Sequence, residues 1–153
     1  IARFPAKNPN SSDPGIAGIL TGSGSDVIIA GAGNDLIHSG SGDDAVSGGD
    51  GDDRIFASGG DNILIGSLGS DRILSRGGAD LLIGGTSDQD ASQAGLQAAL
   101  AAVGVNARAA ALGNITNDAD VDFLQGGAGA DLFFADLAND RLLDFVTGVD
   151  TQM

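Results

Sequence analysis

Residues 22–29 read GSGSDVII, and residues 31–38, nine positions on and in the same register, read GAGNDLIH. Set in nines from Thr21, the chain places Asp26, Asp35, Asp44, Asp53, Asn62, Asp71 and Asp80 in one column. Two places earlier stand Gly24, Gly33, Gly42, Gly51, Gly60, Gly69 and Gly78, and two places later Ile28, Ile37, Val46, Ile55, Leu64, Ile73 and Leu82. A further glycine column at Gly22, Gly31, Gly40 and Gly49 lapses to Ser58, Ser67 and Arg76. Three columns in phase over this length mark a structural repeat, because compositional bias alone fixes no register.

Elementary conformational preferences divide each nonapeptide in two. The Gly- and Asp-rich residues predict a turn, since glycine takes positive φ without steric cost, while the residues around each aliphatic predict a very short strand. Side chains alternate along a strand, so the central aliphatic points inward and its neighbours outward. One repeat cannot bury that aliphatic alone; stacking repeats does.

Composition limits the partners. The chain has 153 residues, enough for one domain, with 26 Gly and only 4% aromatic residues, so a core packed from large rings is not expected. The net charge of −14 argues against nucleic acid and anionic membrane surfaces as partners and for cations instead. All 21 acidic residues are Asp, the short carboxylate that suits tight turns and bound ions. Without cysteine there is no disulfide, thiol nucleophile or thiolate metal site. No apolar run approaches the roughly 18 residues of a membrane span. The start at Ile1 is what a processed or excised fragment would show, its targeting information lying elsewhere.

The repeat G-G-x-G-x-D-x-U-x, with U aliphatic, resembles the calcium-binding nonapeptide of RTX-type parallel β-rolls. The resemblance runs from Thr21 to Ile83 and returns in QGGAGADLFFA, Gln125 to Ala135. It implies an all-β dominated fold, a right-handed parallel β-roll with two nonapeptides per coil. Ile28, Val46, Leu64 and Leu82 would then line one sheet, and Ile37, Ile55 and Ile73 the other. It also implies several Ca²⁺ ions, the earlier turn supplying two carbonyls and its Asp, the later turn two more carbonyls and its Asp. One site would join Gly22, Gly24 and Asp26 to Ser39, Ser41 and Asp44; the opposite edge would join Gly31, Gly33 and Asp35 to Gly48, Asp50 and Asp53.

Further sites implied in the same way join Gly40, Gly42 and Asp44 to Ala57, Gly59 and Asn62, and Gly49, Gly51 and Asp53 to Gly66, Leu68 and Asp71. Another joins Ser58, Gly60 and Asn62 to Ser75, Gly77 and Asp80, and Asp131 holds the metal position of its own repeat. Asn62 is neutral where the pattern wants a carboxylate, and Asp61 beside it is the available replacement. Hard oxygen ligands in a flexible cage suit Ca²⁺ better than Mg²⁺.

The period fails at Gln89, where ASQAGLQAALAAVG takes over. Leu96, Leu100 and Val103 fall at helical spacing, so a helix is predicted near 91–103, capped by Asp88 or Asp90 and ended by Gly104. A second is predicted from an Asn106 cap to Leu112, before Gly113. The helical segment is expected to cover the mostly apolar outer face of the first sheet, namely Val27, Ala45, Ile63, Leu81, Ile29, Ser47, Ile65 and Ile83. Another subunit or a neighbouring domain is the alternative cover. The period resumes with Asp122, Asp131 and Asp140, and with Leu124, Phe133 and Leu142 in the aliphatic column. Phe133, Phe134 and Phe145 suit a cap on the stack, while the stop at Met153 leaves an intact secretion signal open. The expected division is a lead-in or linker over 1–20, the roll over 21–90, the helical insertion over 91–113, and resumed repeats with a C-terminal cap over 114–153, all in one structural domain.

The function that the resemblance implies is a non-catalytic calcium-binding module of an exported bacterial protein, secreted or cell-surface, folding on extracellular Ca²⁺ and aiding type I secretion. His38, the one histidine, occupies a plain repeat position with no Cys, Glu or Tyr to work with, which argues against catalysis in this chain. The alternatives are a structural or adhesive surface, for which regular Thr or aromatic ladders are missing, and an accessory C-terminal domain of a secreted hydrolase.

Overall fold

A computed structural model describes residues 18–136 and 138–144, and the backbone of 151–152. Residues 1–17 of the expected lead-in and the proposed capping residue Phe145 lie outside the described residues. Within them the alternation of turn and strand is realised coil by coil. The strands are β1 (Gly18–Leu20), β2 (Val27–Ala32), β3 (Leu36–Ser41), β4 (Ala45–Asp50), β5 (Arg54–Gly59), β6 (Ile63–Leu68), β7 (Arg72–Leu74) and β8 (Leu81–Ile83). An insertion follows: β9 (Thr86–Ser87), α1 (Gln93–Leu100), α2 (Val105–Ala111) and β10 (Ile115–Thr116). The roll then resumes with β11 (Phe123–Gln125), β12 (Leu132–Phe134), β13 (Arg141–Leu142) and β14 (Thr151–Gln152).

Alternate strands stack. Sheet 1 runs β2-β4-β6-β8-β12-β14 and sheet 2 runs β1-β3-β5-β7-β11-β13, every pairing parallel. In register, Ile28 faces Val46, Val46 faces Leu64 and Leu64 faces Leu82, while Ile37, Ile55 and Ile73 form the matching row of sheet 2. The two rows meet in a thin aliphatic core with Leu124 and Phe133. The protein is a parallel β-roll.

Sheet 2 begins one rung earlier than the repeat columns indicate. Ile19 of β1 pairs with Ile37 and is buried in the core, so residues 18–20 belong to the roll and not to a lead-in. The column position nine before Asp26 is Ala17, which hides this rung from a count of aspartates. Several strands also reach six residues, longer than the aliphatic triplets suggest, because pairing continues into the glycines that follow. Their extra inward positions carry small residues, Ala30, Ser39, Gly48, Ala57 and Gly66, and Ser75 continues the row just after the shorter β7.

The insertion lies on sheet 1. Leu96 and Ala99 of α1 and Ala109 and Leu112, on and just after α2, are buried against Val27, Ala45, Ile63, Ile65, Leu81, Ile83 and Leu132. Antiparallel pairing of β9 with β10 closes its base, an element that the periodicity does not announce. The first helix is shorter than predicted, and the second starts and ends one residue earlier. Ser92 caps α1 by accepting the Gly95 N–H, and Gly104, with φ +87°, precedes α2. Across the insertion the coils stack as if uninterrupted, with partners 51 residues apart in place of 18.

Candidate metal centre

The turns between strands bring the aspartate column into two ladders, one on each edge of the roll. On the edge leading into sheet 1, Oδ1 of Asp44 accepts the N–H of Asp26 at 2.9 Å, Asn62 that of Asp44 at 3.0 Å, Asp80 that of Asn62 at 2.8 Å, and Asp131 that of Asp80 at 2.9 Å. On the edge leading into sheet 2, Asp53 accepts from Asp35 at 2.7 Å, Asp71 from Asp53 at 2.8 Å, Asp122 from Asp71 at 2.8 Å and Asp140 from Asp122 at 3.0 Å. Each carboxylate thus caps the turn of the coil before it. The bonds satisfy main-chain donors that strand pairing leaves over at the corners.

The same bonds aim the side chains into the roll, where the small inward residues leave room. A Cβ on Gly48, Gly66 or Gly84 would run into Oδ2 of Asp53, Asp71 or Asp122 respectively. All three carboxylates are buried, and in each Oδ2 has no hydrogen-bond donor; Oδ2 of Asp44 and Asp80 is placed likewise. Burial, reinforced by neighbouring aspartates, pushes the carboxyls of Asp53, Asp80 and Asp122 up to about 7 and that of Asp71 to about 9. Asp44 and Asp140 move in the same direction for the same reason. A buried carboxylate with one unpartnered oxygen is held at a cost of several kcal/mol unless a cation faces it.

Main-chain oxygens accompany the carboxylates. The N–H groups of Gly24, Gly33, Gly42 and Gly51 donate to the carbonyls of Ser41, Asp50, Gly59 and Leu68 at 2.9, 2.7, 3.0 and 2.7 Å, and the Gly22 carbonyl accepts from Ser41 at 3.0 Å. A carbonyl that accepts one hydrogen bond keeps a second lone pair for an ion. The coils approach so closely that Gly49, with φ +106°, admits no side chain: its Cβ would strike the Gly31 carbonyl, as that of Gly40 would strike Gly22. Gly77 pairs in an isolated bridge with Ala128, which continues the stack toward Asp131. Among the described residues no three acidic or histidine side chains converge on one point. The donor set is therefore carboxylates from neighbouring coils plus carbonyls, an all-oxygen set of the kind Ca²⁺ accepts.

Three features of these edges were not anticipated. Asp122 and Asp140 extend the sheet 2 ladder beyond Asp71, which their nine-residue spacing could have shown had they been counted with the metal column. A second ladder runs one residue upstream and in the opposite sense. Asn34, Asp43, Asp52 and Asp61 accept through Oδ1 the N–H groups of Asp52, Asp61, Ser70 and Ala79 in the following coil, at 2.8–3.0 Å. Asp61, the replacement suggested for Asn62, takes part in this second ladder through its Oδ1. Finally Arg108 of α2, buried, reaches the edge leading into sheet 1 and donates to the Asp61 carbonyl at 2.6 Å. No spacing in an Ala-rich helix points to that contact.

His38 stacks on Phe56 with ring centroids 4.8 Å apart, on the outer face of sheet 2 and away from both ladders. No described helix is long and apolar enough to cross a membrane.

The repeat also stands out in comparison with known families. A model of the RTX calcium-binding nonapeptide repeat, in four copies, matches residues 20–55, 56–88 and 117–143. Neither curated proteins nor solved structures match this chain. The unmatched gap falls on the inserted helices, and the matched segments cover most of the stacked coils and most of both aspartate ladders; the chain belongs to the RTX calcium-binding nonapeptide repeat family.

Proposed function

We propose that this chain is a non-catalytic module of an exported bacterial protein, stabilised or folded by extracellular Ca²⁺. The observation that carries the reading is the row of buried carboxylates at Asp53, Asp71 and Asp122, each with one oxygen lacking a donor. The residues fit the ion: Asp53 with Asp71, and Asp71 with Asp122, would hold it on the sheet 2 edge together with the glycine-rich carbonyls between them. The ion would supply the missing positive charge. In its absence the core is thin, the glycine turns carry a large conformational entropy and the carboxylates repel, so the chain tends toward disorder. A disordered acidic chain suits passage through a narrow type I export channel, and extracellular modules bind Ca²⁺ with dissociation constants on the order of 10⁻⁴ to 10⁻³ M.

Calorimetric titration and circular dichroism melting with Ca²⁺ and with Mg²⁺ test this. The expected result is Ca²⁺ binding with a raised melting temperature and a weaker Mg²⁺ response; no Ca²⁺ heat with an unchanged melting temperature refutes it.

One observation favours a contact role as a second reading. On the outer face of sheet 2, Arg54 lies directly opposite Arg72, both exposed, in a chain of net charge −14. Arg141 lies beside Phe123 on the same row, its guanidinium 6.0 Å from the ring centroid. Like charges placed side by side are unfavourable by themselves and suit an anionic polymer. Retention on an anionic polysaccharide column that is unchanged in Arg72→Ser removes this reading.

A further inference from the structure

The edge leading into sheet 1 differs from its opposite at one residue, and the difference changes what that edge can bind. Asn62 is fully buried, and its orientation is fixed: its oxygen accepts the Asp44 N–H at 3.0 Å, so its nitrogen occupies the place where a carboxylate would have Oδ2. That nitrogen donates to the Gly60 carbonyl at 2.9 Å and to Oδ1 of Asp80 at 3.0 Å. Gly60 and Asp80 are two of the ligands that the repeat pattern aims at an ion between the turn 58–62 and the turn 75–80. Amide hydrogens already point at both, and an amide nitrogen offers a cation no lone pair.

The interval before it is closed from outside. Arg108 is 5% exposed. Its Nη1 donates to the Asp61 carbonyl at 2.6 Å, its Nη2 lies 3.7 Å from Oδ2 of Asp43, and its Nε donates to the Ala102 carbonyl at 3.2 Å. Asp43 and Asp61 lie in successive turns, joined also by the Asp61 N–H to Oδ1 of Asp43 at 2.8 Å. A fixed guanidinium therefore bridges the turn 40–44 to the turn 58–62, beside the position where Asn62 withholds a negative charge. A buried cationic guanidinium attached to both turns repels a second cation, so a divalent ion is disfavoured between them.

We infer that the two intervals flanking Asn62 are metal-independent, closed by the Arg108 guanidinium and the Asn62 carboxamide, and that Ca²⁺ loads the opposite edge. The inference rests on the calcium reading above and specifies which intervals are filled. It gives the inserted helices a role beyond covering sheet 1, since α2 delivers the internal cation. It also makes the middle of sheet 1, where β4, β6 and β8 meet, the part of the roll that holds together without metal.

Two measurements decide it. Hydrogen exchange of the wild-type chain in chelator is expected to be at least about tenfold slower at the Asp44 and Asn62 amides than at Asp35 and Asp53. Equal or reversed rates overturn the inference, and this arm needs neither a variant nor bound metal. Titration calorimetry of Asn62→Asp is expected to show at least one more Ca²⁺ per chain than wild type, and Arg108→Met to lower the melting temperature more in chelator than in Ca²⁺. An unchanged Ca²⁺ count in a folded Asn62→Asp protein overturns it. A wild-type chain that binds no Ca²⁺ at all would instead remove the calcium reading, with the exchange arm still deciding whether these intervals hold by themselves.

Discussion

Asp71→Asn should stabilise the metal-free protein and destabilise the calcium-loaded one. Oδ1 of Asp71 accepts the Asp53 N–H at 2.8 Å, while Oδ2 is buried without a donor. Burial first, and then the charges of Asp53, Asp122 and Asp118, push this carboxyl up to about 9, so the metal-free fold retains its proton at neutral pH. The unfolded chain, with an ordinary value of 3.8, has released it. Holding the proton at pH 7 therefore costs the metal-free fold about 4 kcal/mol. Asparagine keeps the acceptor for Asp53 and removes that cost, but buries an amide whose unsatisfied hydrogens cost about 1–3 kcal/mol. The net expectation in chelator is a gain of about 1–3 kcal/mol. With Ca²⁺ the sign reverses, because the substitution deletes a charged ligand. Urea denaturation of both proteins, in chelator and in millimolar Ca²⁺, gives the four free energies. A loss of stability in chelator, or an equal shift in both conditions, would refute the claim that the metal-free fold buries this carboxyl at the cost of taking up a proton.

The pH dependence has the same origin. Asp53, Asp80 and Asp122 are raised to about 7 and Asp71 to about 9, so the metal-free fold binds more protons than the unfolded chain above about pH 4. Its stability should be greatest near pH 4 and decline as pH rises through 7 toward 9, whereas saturating Ca²⁺ should remove most of the decline; a melting temperature in chelator that climbs with pH contradicts this. Gly66→Ala should lose about 1–3 kcal/mol, because its Cβ would meet Oδ2 of Asp71 and, at 2.7 Å, the Gly84 carbonyl. Gly59→Ala, whose nearest contact is 3.9 Å, should be neutral or slightly stabilising, and similar melting temperatures for the two variants would show that the inward row does not limit size. Leu96→Ala removes a fully buried side chain between α1 and sheet 1 and should cost about 2–5 kcal/mol by denaturation, with the Ca²⁺ count unchanged by calorimetry.

How far the structure was legible depended on whether a feature repeats. The aliphatic column specified both sheets and their register, since a one-residue slip would turn Ile28, Val46 and Leu64 outward together. The cover over sheet 1 was readable because Ile63, Ile65, Leu81 and Ile83 are too apolar for an outer row left in water. The rung at Ile19 was missed because Ala17 breaks the aspartate column while the aliphatic column continues. The inward-turned carboxylates were missed because the size of Gly48, Gly66 and Gly84 matters only once coils are stacked, when each proves to lie beneath the Asp five residues ahead or its equivalent across the insertion. Arg108 was illegible for a simpler reason. Its partners Asp43 and Asp61 are brought to it by the fold, and nothing periodic records that meeting.

The two side-chain ladders have opposite polarity, and this bears on how the roll assembles. Asp44, Asp53 and Asp71 reach back to the coil before them, while Asn34, Asp43, Asp52 and Asp61 reach forward to the coil after. A turn in the middle of the stack is thereby held from both sides, and one cut off from its neighbours loses acceptors for its own N–H groups as well as uses for its own carboxylates. A single coil has little reason to be ordered, and free energy accrues mainly at the interfaces between coils, as in other linear repeat proteins. An ion held between two turns orders both, and each ordered turn presents its remaining carboxylate and carbonyls to the next interval already in place. Calcium binding along the all-aspartate edge should therefore be cooperative, with the entropy of ordering met mostly at the first site. The interval pinned by Arg108 lies beside Asp43 and Asp61 in the middle of the stack, where an ordered turn can template growth in both directions along the roll.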